Sequence, residues 1–78
     1  MSLSELKPGQ MAVVEQVDIK QSGEGLARRL EAMGLTANRP IQVLRQAWLG
    51  GPLHIRVGST TEIAIRRHEA ESILVKVA

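Results

Sequence analysis

The sequence predicts a mainly β fold: a small, partly open barrel of five short strands, with one helix inserted after the first. Three observations carry this. Several short runs alternate apolar and polar residues with the period of two that half-buried strands require. One stretch, from Leu26 to Met33, has the helical period instead. The breaks between runs hold Gly, Pro or Asn, which antiparallel turns need. Five short strands are too few for two full sheets, and curling them limits the unpaired edge. The 78 residues are read as one domain spanning 1–78.

Residues 3–6 suit one helical turn capped by Ser2 or Ser4, and Lys7-Pro8-Gly9 is a turn signal. Residues 10–19 read as the first strand, with Met11, Val13, Val17 and Ile19 on the inner face. Glu15 interrupts that face, so the strand bends there or Glu15 lies at the edge of the core. Residues 21–25 form a breaker cluster. Leu26, Leu30 and Met33 then fall at i, i+4 and i+7, with Ala27 beside them and Arg28, Arg29 and Glu31 opposite. Ser22 suits the cap of this helix, Glu24 its positive end and Gly34 its stop. Asn38 is the residue best suited to a left-handed turn.

The remaining strands are short. Ile41 and Val43 alternate, followed by residues 44–47 and a turn at Leu49-Gly50-Gly51-Pro52. Leu53, Ile55 and Val57 alternate, with His54 and Arg56 on the opposite face. A turn at residues 58–60 leads to Ile63 and Ile65. Residues 66–71 suit a single helical or 3₁₀ turn, and Ile73, Val75 and Val77 alternate to the end.

Composition narrows the function. The chain is 44% apolar, but Trp48 is its only aromatic residue, and it has no cysteine. A disulfide scaffold and a thiolate metal cage are excluded, and a reducing, cytoplasmic setting is expected. No apolar run approaches the roughly 20 residues of a membrane span. Residues 1–5 lack the pattern of a signal peptide. A net charge of +2 is too mild to indicate nucleic acid. There is no GxxxxGK[ST] loop and no motif around a nucleophile, so an enzyme is not expected.

The segments Leu6-Lys7-Pro8-Gly9-Gln10, Arg29-Leu30-Glu31-Ala32-Met33-Gly34-Leu35 and Pro40-Ile41-Gln42-Val43 occur in a characteristic order. Gly50-Gly51-Pro52-Leu53-His54-Ile55, Val57-Gly58, Glu62-Ile63-Ala64-Ile65-Arg66-Arg67-His68-Glu69-Ala70 and Ile73-Leu74-Val75 continue it. This order resembles the FeoA family, small cytosolic proteins of bacterial ferrous iron transport. The resemblance covers nearly the whole chain. It implies an SH3-like barrel, and a non-enzymatic accessory that binds FeoB, the membrane permease with a cytosolic GTP-binding domain. It places the chain at the membrane only through that partner. The chain departs from the family pattern at Asn38, where Gly is usual. The swap is mild where the backbone takes positive φ.

Candidate residues follow from type and position. His54 and His68, with Glu62, Glu69 and Glu71, are the available metal ligands. His68 and Glu69 are adjacent and cannot face one way. Two exposed histidines are the simpler reading, and any transition-metal binding is expected to be weak or shared between chains. No cofactor is expected. Trp48, Leu49 and Pro52 form a loop tip suited to contact a partner, although a lone Trp can also cap a barrel end. Arg28 and Arg29 present a charged helix face that is either solvated or docks on an acidic surface. Arg28, Arg29, Arg66 and Arg67 are also candidates for an arginine finger toward a GTPase, and nothing in the sequence selects one.

Four readings compete. The first is an interaction module for the permease. The second is a nucleic-acid-binding barrel, which the near absence of aromatic stacking residues opposes. The third is a proline-rich peptide groove, which needs aromatics this chain lacks. The fourth is a metal sensor similar to the C-terminal SH3-like domain of iron-dependent repressors. Free strand edges also allow self-association.

Overall fold

Ser2 and Glu5 set how the chain enters the fold. Glu5 Oε1 accepts the Ser2 backbone N–H at 3.3 Å across a 3₁₀ turn at Leu3–Glu5. That turn aims Leu3 and Leu6 inward, and both are fully buried. The computed structural model describes residues 1–47 and 49–78, with side chains for all of these except 19–22. The elements that follow are β1 (Met11–Val17), α1 (Ile19–Ala32), β2 (Pro40–Gln46), β3 (Leu53–Val57), β4 (Thr61–Ile65), α2 (Arg67–Ala70) and β5 (Ile73–Val77). The strands form one five-stranded antiparallel sheet in the order β4-β3-β2-β1-β5. The mainly β expectation holds, with α1 after the first strand.

Two bulges curl this sheet. On β1 the register to β5 passes from Val14↔Val75 to Gln16↔Leu74, which leaves Glu15 as the extra residue. On β2 the register to β3 passes from Val43↔Ile55 to Arg45↔His54, which leaves Leu44 extra. Each bulge bends its strand and increases the local twist. At the β5 edge, the Val75 N–H donates to the Met1 carbonyl at 2.8 Å and Ser2 bridges Leu74. The N-terminal segment thus covers part of that edge.

The inner face of β1 is the reverse of the one expected. Ala12 and Val14 are buried, Met11 is 55% exposed and Val13 is half-buried. Cross-strand partners share a face, and Ala12 pairs with Ile41 while Val14 pairs with Val75, both buried. The bulge at Glu15 then shifts parity by one, so Val17 returns to the core. The strand also ends earlier than residue 19, because Ile19 opens α1.

Helix α1 begins at Ile19, ahead of the segment read as a breaker, and runs through it. Gly23, at φ 78° and ψ 162°, interrupts it with a kink. The side chain of Ser22, the expected cap, lies outside the described residues. The apolar face is as read: Leu30 and Ala27 are buried, and Leu26 and Met33 pack against the core. The helix stops through a Schellman pair, in which the Leu35 N–H reaches the Leu30 carbonyl at 3.0 Å and the Gly34 N–H the Glu31 carbonyl at 2.9 Å. Gly34 takes φ 93° to make this possible. A Cβ there would also meet Val57 Cγ1 at 3.4 Å. Gly34→Ala is therefore expected to cost about 1–2 kcal/mol. A lower denaturant midpoint at unchanged slope would register it.

The left-handed turn at Asn38 forms as expected, with φ 68°. Asn38 donates its N–H to the Val14 carbonyl at 2.7 Å, and Val14 donates to Arg39 at 2.9 Å. Leu53, Ile55 and Val57 bury together with Ile41, Val43, Ile65, Ile73 and Val75. Val77, expected on the same face, is exposed. The core is wholly aliphatic among the described residues. No described helix is long and apolar enough to cross a membrane.

Candidate functional site

The β2–β3 loop closes on itself before it projects. The Ala47 N–H donates to the Pro52 carbonyl at 3.0 Å, which fixes the neck of the loop. Beyond the neck stands Leu49, 100% exposed and at φ 57°. A leucine held in the left-handed region costs about 1–2 kcal/mol relative to an ordinary conformation. It gains no burial here to offset that. Gly50 continues the turn at φ 74°. Pro52 is exposed. Trp48 lies outside the described residues.

The loop does not stand alone. Leu53 pairs with Ile65, so loop 50–52 lies beside Arg66 and the start of α2. The Arg67 side chain passes under Gly50: a Cβ on that glycine would lie 3.6 Å from Arg67 Nε and 3.8 Å from its Cδ. Between the loop and α2 is a cleft of about 560 Å³, bounded by residues 50–52 on one side and by Arg66, Arg67, His68 and Glu71 on the other. Two guanidiniums and an imidazole thus face one carboxylate. Among the described residues, Arg67 Nε is buried with no hydrogen-bond partner.

Glu69 holds α2 in place. Its Oε1 accepts the Arg66 N–H at 3.0 Å, satisfying a donor at the helix start. Its Oε2 pairs with the Arg29 guanidinium of α1. The Glu69 side chain is only 7% exposed, whereas that of Arg29 is 57% exposed. Arg29 therefore joins α1 to α2. Arg28 remains on the outer face, with Nη2 3.6 Å from Glu24 Oε2 one turn back. An exposed pair of this kind contributes little.

The histidines lie apart. His54 is half-buried on β3, with Nε2 3.6 Å from Glu62 Oε1, and Arg56 Nη2 shares the same carboxylate at 3.3 Å. His68 is exposed at the cleft, while its neighbour Glu69 turns inward. Among the described residues, no group of three or more His, Asp and Glu side chains is placed to hold a metal ion.

The fold thus brings Leu49 and Pro52 together with Arg66, Arg67 and His68, and leaves Arg28 and His54 elsewhere. The convergence of loop 50–52 on Arg67 is absent from the sequence reading. Its signal was available: a turn centred on Ser59 places residue 53 opposite residue 65.

Comparison with known proteins adds the family. The FeoA domain model matches residues 1–77. The chain belongs to the FeoA family. A FeoA protein of Chlorobium tepidum is 38% identical, with 99% of this chain and 70% of that chain covered at a TM-score of 0.86. The zinc-complexed FeoA of Stenotrophomonas maltophilia, a procaryotic SH3 domain protein, is 34% identical over 97% of this chain and 89% of that chain, at a TM-score of 0.83. No curated protein matches. The FeoA family is linked to ferrous iron transport, and the SH3-like architecture expected from the resemblance is present. A manganese-dependent transcriptional repressor in complex with manganese shares the fold at 15% identity, with 100% of this chain and 36% of that chain covered and a TM-score of 0.88. At that identity the likeness to this FeoA-family chain is one of fold alone.

Proposed function

We propose that this chain is a non-enzymatic accessory of ferrous iron uptake that docks on the cytosolic side of a FeoB-type, GTP-dependent permease. The docking face is Leu49 with residues 50–52, together with the adjoining side of α2. The observation that carries this is Leu49, fully exposed and held at positive φ. Strain combined with exposure at a loop tip points to function rather than stability. Membership of a family linked to ferrous iron transport supports the choice of partner.

The mechanism is one of presentation. The rigid aliphatic barrel holds the loop neck, and the Glu69 bonds hold α2 beside it. Transport and nucleotide hydrolysis belong to the partner. No step is routed through a metal on this chain. Capture of the permease from a mild detergent extract by the tagged chain tests the role. Retention of the permease is the expected result, and clean failure to retain it contradicts the proposal.

A further inference from the structure

The cleft beside the loop carries chemistry that an apolar tip does not use. Among the described residues, Arg67 Nε is buried and lacks a hydrogen-bond partner. Native structures pair nearly all buried donors, so an unpaired one calls for an acceptor. The described residues supply none, and the Arg67 side chain lines the cleft close to Gly50. Arg66 and His68, both exposed, line the same cleft. A guanidinium fork matches the planar oxygens of a carboxylate or phosphate.

The surroundings of the cleft select between those anions. Among the described residues, Glu71 is the one carboxylate lining it beside the two guanidiniums, so the net charge there attracts either anion. The loop rim carries Leu49 and Pro52, both exposed, and these ask for an aliphatic neighbour, which a carboxylate-bearing protein segment supplies and a free phosphate does not. We infer that the cleft receives an acidic–apolar segment of a partner protein, with a carboxylate on Arg67 between Arg66 and His68 and an aliphatic side chain on Leu49. This rests on the proposed role as an interaction module and specifies the chemistry of its partner.

Nuclear magnetic resonance of the full chain tests it, because the Arg67 Nε–H gives its own signal. The probes are a capped Leu-Glu-Glu-Leu peptide, its Leu-Gln-Gln-Leu counterpart, and inorganic phosphate. The acidic peptide is expected to move the Arg67 Nε–H and the Gly50 and Gly51 backbone signals saturably. The amide peptide is expected to bind at least tenfold more weakly, as is the acidic peptide to Arg67→Gln. Should Arg67→Gln not fold, the double variant Arg66→Gln, His68→Asn decides, since both side chains are exposed; its expected loss is at least fivefold. Unmoved Arg67 and glycine signals, equal binding of the amide peptide, undiminished binding to the variants, or tighter binding of phosphate would each overturn the inference. Permease capture separates this from the broader role. Undiminished capture by Arg67→Gln refutes the cleft alone, whereas failure of the wild-type chain refutes the role itself.

Discussion

Glu69→Ala is expected to lower the free energy of unfolding by about 2–3 kcal/mol. The carboxylate is buried, and it serves two elements at once. One oxygen accepts the Arg66 N–H at 3.0 Å, and the other pairs with Arg29 on α1. Alanine leaves the Arg66 donor without its acceptor and opens a gap under a helix of four residues. So short a helix has little cooperativity of its own to fall back on. Arg29→Ala is expected to cost less, about 1 kcal/mol or under, because the guanidinium is largely in water and its loss leaves the Arg66 bond intact. Glu69→Gln should fall between the two. A domain of this size has roughly 4–12 kcal/mol in total, so Glu69→Ala should also lower Tm by about 10–20 °C. Denaturant unfolding of the three variants at constant slope checks the order. Equal effects of Glu69→Ala and Glu69→Gln would show that charge alone matters and the gap does not.

Leu49→Gly is expected to move stability and partner binding in opposite directions. Glycine relieves the left-handed backbone, worth about 1–2 kcal/mol, and loses part of that to the greater freedom of the unfolded chain. The net gain is about 0.5–1 kcal/mol. Leu49 makes no buried contact whose loss would offset it. Binding should weaken by about 1.5–2 kcal/mol, the value of burying one leucine side chain in an interface. A substitution that stabilises the free protein while weakening the complex separates a functional residue from a structural one. Any loss of stability in Leu49→Gly would mean the side chain packs on the fold.

What could be read before folding depended on how many faces of a run were apolar. Leu53, Ile55 and Val57 alternate with His54 and Arg56, so parity was unambiguous and the structure agrees. Met11, Ala12, Val13 and Val14 are apolar on both parities, and size favoured the wrong one. The pairing of Ala12 with Ile41, a contact distant in sequence, decides it. The first turn of α1 was hidden because Gly23 separates it from the amphipathic stretch. Gly34 and Asn38 were legible because positive φ restricts residue type so strongly.

The site was legible only in pieces. Leu49 and Pro52 stood out beside a Gly-Gly turn, but exposure and strain at Leu49 are properties of the folded loop. Arg66 and Arg67 appeared in the sequence as two of several equivalent arginines. The β3–β4 register distinguishes them by laying them against loop 50–52. Glu69 offered a local cue, standing three residues after Arg66 where a helix-start carboxylate belongs. Its pairing with Arg29 crosses forty residues, and no local pattern announces it.

Titration of the detergent-solubilised permease with fluorescently labelled wild-type chain and Leu49→Gly is the decisive measurement. Saturable binding by the wild type, weakened at least tenfold in a Leu49→Gly chain that unfolds at higher denaturant, is the predicted result. Equal affinity of the two chains would remove the loop from the interface and contradict the docking face proposed here.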